Sequence, residues 1–278
     1  MSLGLKYKNQ DHIFDEKERN HVPYLSYPLL ENTGVVYHGF STRLGGVSTG
    51  CWSSMNISTT RGDYPEAIVK NRELIAGAIG VTVDSFTYTH QTHTTNVAVV
   101  EAADKGKQFM ETDGLITNVP GICLVTFYAD CVPLYFVDPV KRAIGLSHSG
   151  WRGTVGKMGK VTVNKMVDEY GCNPADIIAA VGPSICQDCY EVSKDVIDQF
   201  RKAYPRELWP SLFYGKPDGK YQLNLWEACR QNFLRAGVPE DQISLPDLCT
   251  CCNPGLLYSH RASHGKRGNL AAVLMINE

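Results

Sequence analysis

Apolar positions along this chain follow two periods, and the switches between them outline its elements. Residues 35–41 read as a strand, followed by a glycine-rich turn over 44–50. Asp63, Tyr64 and Pro65 have the composition of a helix start. Ile68, Leu74, Ile75, Ala78 and Ile79 then recur near helical spacing until Gly80 ends the run. Three β-rich segments follow at 86–100, 114–117 and 121–137, then a short apolar strand at 143–147. A second glycine-rich turn, 150–156, leads into a helix ending near Gly171. A strand is predicted over 177–181 and helices over 193–204 and 225–236, with strand again at 256–259 and 270–276. No repeat, low-complexity tract or linker divides the chain. Strands and helices interspersed from end to end predict one α/β (α+β) domain over 1–278, a mixed β-sheet core with flanking helices.

Composition narrows the classes. With 43% hydrophobic residues in 278, the chain can bury a sizeable core and is not intrinsically disordered. Its 27 basic and 29 acidic residues give a formal charge of -2, which speaks against a nucleic-acid partner. The longest apolar stretch, 122–137, is broken by Thr126, Asp130 and Pro133, and a membrane helix needs about 20 mostly apolar residues. Residues 1–24 are polar and of mixed charge, without the apolar centre of a signal peptide. The expectation is a cytoplasmic protein with no membrane partner. Its ten cysteines are then better read as metal ligands, catalytic groups or buried thiols than as disulfides.

Three segments could carry chemistry. His90 and His93 lie in a β-rich stretch, where residues three apart point to opposite faces, so one of the two is expected at a shared site. Asp130 and Cys131 interrupt an apolar strand, and a buried carboxylate needs a partner such as a cation, a metal or a backbone turn. His148 ends an apolar strand just before a glycine-rich turn and a helix, with Arg152 close behind it. Ligands gather where strands give way to loops, and helix N-termini hold anions. Taken singly, the first two segments are better explained by a structural histidine and an inert buried thiol, and the third also by a turn with an ion-paired arginine. Taken together, two imidazoles and one thiolate suit Zn²⁺, with a fourth position left for water or substrate.

The same segments sit within a longer series of motifs. Phe40-Ser-Thr-Arg-Leu-Gly-Gly-Val-Ser48, Asn71-Arg72, Gln91-Thr-His93 and Asp113-Gly-Leu-Ile-Thr117 occur in that order. Ala129-Asp-Cys-Val-Pro-Leu134, His148-Ser-Gly-Trp-Arg-Gly153, Gly182-Pro-Ser-Ile185 and Tyr258-Ser-His-Arg261 follow. In this the chain resembles the YfiH family, also called laccase-domain or multicopper polyphenol oxidase-like proteins, over about 35–276, with residues 1–30 as an N-terminal extension. The resemblance implies a single α/β domain and a metal site built from His93, Cys131 and His148. It also implies purine nucleoside phosphorylase activity on adenosine, inosine, guanosine and methylthioadenosine, together with adenosine deaminase activity. The partners would then be a purine nucleoside and phosphate. Near the end the chain departs from the family pattern: His260 stands where many members have tyrosine, and Asn269 where they have a second arginine. Arg267, two residues earlier, is a candidate to compensate.

Competing functions follow from the same residues. A multicopper oxidase needs many histidines, often in His-x-His pairs, and none of the eight here forms one. A His/Cys/His site could still hold a single copper ion, which keeps a copper-dependent polyphenol oxidase as an alternative. For phosphorolysis, Arg43 within Thr42-Arg-Leu-Gly-Gly46 is the first candidate phosphate ligand, with Arg152 and Arg261 behind it. For deamination, zinc would bring the pKa of a water to about 7, as attack on C6 of adenine requires. Asp130 would carry a proton or orient Cys131. Cys131 and His148 could instead be the nucleophile and base of a Cys/His hydrolase. Cys186-Gln-Asp-Cys189 and Cys249-Thr-Cys-Cys252 share a C-x2-C spacing, which admits a structural zinc site and a metal-stabilised binding module. Trp151 and Trp226 are expected in the core.

Overall fold

The strand Leu270–Ile276 is buried along its whole length, which explains why it shows no polar alternation. Leu270, Ala272, Leu274 and Ile276 pack with Leu124, Tyr135, Val137 and Leu146. Ala271, Val273 and Met275 pack on the opposite side with Ile75, Ile79 and Phe86. The strand Val132–Asp138 repeats the pattern: Tyr135 and Val137 face the same central cluster, while Val132, Leu134 and Phe136 face another. Each of these strands therefore divides its side chains between two cores.

The computed structural model describes residues 3–9, 11 and 13–277. It has two stacked mixed sheets between outer helices. In the first, seven strands run in the order Asp15–Arg19, Val22–Ser26, Val36–Ser41, Leu270–Ile276, Cys123–Tyr128, Phe86–Thr89 and Gln108–Phe109. In the second, six run in the order Ile243–Ser244, Ile178–Val181, Val132–Asp138, Ala143–Ser149, Gly114–Thr117 and Val97–Val99. The helix Pro65–Ile79 covers the outer face of the first sheet. Helices Met158–Tyr170, Lys194–Ala203 and Leu225–Leu234 cover the second. Tyrosine hydroxyls tie the sheets together: Tyr135 donates to the Gly39 carbonyl at 3.0 Å, Tyr128 to that of Ser147 at 3.0 Å and Tyr27 to that of Val181 at 2.8 Å.

The helix over 65–79 ends where its spacing predicts, with Gly80 in the left-handed region at φ 95°. Other expectations need correction. The stretch 86–100 is two strands, Phe86–Thr89 in the first sheet and Val97–Val99 in the second. Likewise 121–137 splits into Cys123–Tyr128 and Val132–Asp138, again one in each sheet. The crossing at 129–131 is hidden because the strands on either side of it are largely buried. The crossing at 90–96 is a polar run, His90-Gln-Thr-His-Thr-Thr-Asn96, leading to a strand that is only partly buried. The turn over 150–156 contains a short helix, Trp151–Val155. Residues 256–259 are turn rather than strand: Leu256 and Leu257 both donate backbone N–H groups to the Asn253 carbonyl. Residues 15–26, within the stretch expected as an extension, form two strands at the edge of the first sheet.

Candidate metal centre

The two crossings and the end of the strand Ala143–Ser149 meet at one edge of the sandwich. Leaving one sheet for the other demands sharp turns, and two of the turning residues have positive φ: His93 at 64° and Asp130 at 88°. These turns bring His93, Cys131 and His148 together, with their ligand atoms all within 4.8 Å of one another. His93 Nε2 lies 3.9 Å from Cys131 Sγ. The rings of His93 and His148 meet edge to face at 4.9 Å. His93 is exposed, Cys131 half-buried and His148 buried, so the group has one side open to solvent. His90 lies outside the group, at the end of a strand rather than in an extended run with His93.

Asp113 organises this corner. Its Oδ1 bonds His148 Nδ1 at 2.8 Å and accepts the His93 N–H at 3.0 Å. Its Oδ2 accepts from the N–H groups of Thr92 and Thr94 and from the Thr94 hydroxyl. Burial works against this carboxylate's charge, but the bonds from His148 and Thr94 hold its pKa at about 2. An ionised Asp113 fixes the His148 ring and turns Nε2 toward the site, the carboxylate–histidine arrangement of metal centres. Burial would raise the Cys131 thiol, yet His148 and His93 bring it down to about 6. Burial likewise opposes the His148 charge, and Cys131 and Asp113 carry its pKa up to about 9. Cys131 is therefore a thiolate near neutral pH, the form that binds metal. Two nitrogens, one sulfur and an open side fit a zinc ion with an exchangeable fourth position.

The triad stands at the junction of two lobes of a cleft. One lobe, of about 520 Å³, is polar and includes Ser58, Thr60, Arg61, Arg72, Gln91 and Asn269. The other, of about 400 Å³, includes Trp151, Ile185, Tyr190 and Leu225 with Arg152 and Arg261. His93, Cys131, Ala129, Arg61 and Arg267 line both. Arg267 is buried, and its pKa falls to about 10 because of that burial and the neighbouring Arg61 charge. Its Nε has no hydrogen-bond partner among the described residues, and neither has the Asn269 Oδ1. Two guanidinium groups thus converge beside the triad with room for an anion.

Other sequence candidates separate. Arg43 lines neither lobe: it donates to the carbonyls of Ser53 and Pro254 and lies over the Tyr258 ring at 4.8 Å. These contacts lie in the tight 43–54 loop, where an added Cβ at Gly46 would come within 2.2 Å of the Ser54 carbonyl oxygen. Arg152 and Arg261 both reach the second lobe. The Arg261 guanidinium donates to the Cys189 and Glu191 carbonyls. The Asp130 carboxylate accepts the Thr250 hydroxyl at 2.6 Å and the Arg261 backbone N–H at 2.7 Å. Trp151 is only partly buried and lines the second lobe, so core burial describes it incompletely. Trp226 is also partly buried, and its Nε1 donates to Ser184 Oγ at 2.8 Å. Sequence reasoning assigned no role to Asp113 or Arg61. For Asp113 the signal was present, an acidic residue two positions before the apolar run Leu115, Ile116; Arg61 gave none.

Comparison with known proteins gives the family and supports the fold. Residues 37–277 match the family model described as multi-copper polyphenol oxidoreductase laccase, and the chain belongs to that family of enzymes. It is 37% identical over 255 residues to "Purine nucleoside phosphorylase YlmD" of Bacillus subtilis, covering 89% of this chain and 91% of the relative. It is 40% identical over 248 residues to "Purine nucleoside phosphorylase" of Deinococcus radiodurans, covering 89% and 92%. "Adenosine deaminase RL5", from an unknown prokaryotic organism, is 34% identical over 80% of this chain and 87% of its own. The crystal structure of YlmD from Geobacillus stearothermophilus superposes with a TM-score of 0.89 at 32% identity, covering 96% of this chain and 99% of that one.

The copper in the family description can be set against the ligands. Among the described residues one candidate group contains histidine. His38 instead accepts the Tyr27 N–H, and His260 lies beside Arg267. Those residues offer no ligands for a trinuclear copper centre. No helix among them is long and apolar enough to cross a membrane.

Proposed function

We propose that this chain is a zinc-dependent purine nucleoside phosphorylase with adenosine deaminase activity at the same centre. The observation that carries the reading is the position of His93, Cys131 and His148, at the junction of a cationic, polar lobe and an aromatic, apolar one. The names of the relatives support the substrate class.

The purine lies in the lobe of Trp151, Ile185, Tyr190 and Leu225, whose flat and branched side chains suit a heteroaromatic ring. Phosphate is held by Arg61 and Arg267, whose mutual repulsion an anion relieves. A phosphate oxygen attacks the anomeric carbon, the carbon–nitrogen bond to the purine breaks, and its electron pair leaves with the base. A zinc ion held by His93, Cys131 and His148 supplies Lewis-acid stabilisation of negative charge. Asp113 keeps His148 oriented, and Asp130 fixes the turn that carries Cys131.

The test is a product assay with adenosine, with and without phosphate, on protein of known metal content. Adenine and ribose 1-phosphate formed only with phosphate are expected, and inosine formed without it. Neither product from zinc-loaded protein, with Cys131→Ala behaving like wild type, overturns the reading.

A further inference from the structure

A second ligand group lies outside the triad. Cys186, Cys189, Cys249 and Cys252 have their sulfur atoms within 4.8 Å of one another. The two C-x2-C turns reach this arrangement from distant parts of the chain. Ser184 and Cys249 form an isolated parallel bridge, and Thr250 donates its N–H to the Ser184 carbonyl. None of the four thiols is in a disulfide, and Cys189 Sγ lies 3.5 Å from Cys252 Sγ, against about 2.05 Å for a covalent bond.

Backbone amides point at the sulfurs. The Cys186 N–H donates to Cys249 Sγ at 3.2 Å. In each turn the N–H of the second cysteine also faces the sulfur of the first: Cys189 toward Cys186, and Cys252 toward Cys249. Lys8, ion-paired to Asp188 at 2.6 Å, adds positive charge toward Cys186 and Cys252. N–H donors and a lysine stabilise thiolates. Four sulfurs bound to zinc at about 2.3 Å would lie about 3.8 Å apart, within the span seen here. We propose that Cys186, Cys189, Cys249 and Cys252 bind one structural Zn²⁺ as a closed tetrathiolate site, separate from the His93/Cys131/His148 centre.

The site holds a wall of the cleft. Thr250, between its ligands, donates to Asp130, next to Cys131. Ile185, just before Cys186, donates its N–H to the Asp130 carbonyl. The Cys189 carbonyl accepts from Arg261. The ion thus pins the turns that fix Asp130 and Arg261 and that carry Ile185 and Tyr190.

Metal counting on the intact, reduced protein tests this. After zinc loading and dialysis, wild type is expected to hold about two zinc ions per chain, and Cys131→Ala about one. The double variant Cys189→Ser/Cys252→Ser loses one zinc relative to wild type, whereas Cys251→Ser, at the neighbouring cysteine, loses none. Cobalt-loaded Cys131→Ala keeps strong thiolate-to-metal charge-transfer absorption, a readout that does not depend on whether the double variant folds. A Cys131→Ala protein that holds no zinc and shows no such absorption overturns the proposal. So does an intact mass showing these cysteines paired as disulfides in freshly reduced and repurified protein. The outcome is independent of the phosphorylase reading: zinc retained by Cys131→Ala supports the tetrathiolate site whether or not purine products form.

Discussion

At the residue scale two of the candidate metal ligands depend on one carboxylate behind them. Asp113 bonds His148 and collects the N–H groups of residues 92–94, so it sets two of the three ligands at once. Asp113→Asn keeps the shape but removes the charge and leaves an amide where two donors converge. Such outer partners are worth about 10–100-fold in metal affinity or activity. Zinc titration should show a loss of that order, while Cys51→Ser, at an exposed thiol, should leave the affinity unchanged. Arg61, which lines both lobes, is where the two proposed activities should part. If it binds phosphate, Arg61→Gln removes a charged hydrogen bond worth about 1.5–3 kcal/mol and raises the KM for phosphate about 10–100-fold. Deamination needs no phosphate and should keep its rate. An equal loss of both activities would mean that Arg61 supports the cleft rather than the anion.

At the element scale the junction between the strand Ala143–Ser149 and the helix Trp151–Val155 controls access to the ligands. Gly150 occupies it, and an added Cβ would sit 2.9 Å from His93 Cδ2 and 3.3 Å from Cys131 Sγ. Its φ of -74° suits any residue, so the conflict is with the site and not the backbone. Gly150→Ala should therefore displace His93 and lower kcat/KM about tenfold or more, with an unfolding midpoint close to wild type. A variant of normal activity would show that His93 has slack. Element type was legible along most of the chain: Gly80 ends its helix where the spacing says, and the apolar run predicted as a strand over 143–147 lies within the strand Ala143–Ser149. The crossing at 129–131 was not, because the largely buried strands on either side of it carry the same apolar pattern. At 90–96 the polar run marks a break without showing that the chain changes sheet. The ligands were legible as residue types in shared motifs. The convergence of Arg61 and Arg267 on one cleft was not, since they are far apart in sequence and meet only through the fold.

At the scale of the whole molecule, a buried histidine couples stability to pH. His38 lies in the strand Val36–Ser41, and its Nε2 accepts the Tyr27 N–H at 2.8 Å. Burial pushes its pKa from 6.5 down to about 4; nearby Glu31 opposes the shift and Lys17 adds to it. Between these values the unfolded chain binds a proton that the folded chain does not. Stability therefore falls as pH drops through 6.5 toward about 4, and it is regained on the alkaline side. From pH 7 to pH 5 the loss amounts to about 2 kcal/mol, read as a lower urea midpoint at constant slope. The Asp113 window lies lower, since a carboxylate held at about 2 loses its contribution only below its ordinary range. Metal release on acidification affects wild type and variant alike, so the comparison is with His38→Gln, whose amide oxygen can accept the same N–H without titrating. That variant should lose about 2 kcal/mol less than wild type between the two pH values. Equal losses in the two proteins would assign the acid sensitivity to the metal centre and leave His38 a neutral spacer between Tyr27 and the sheet.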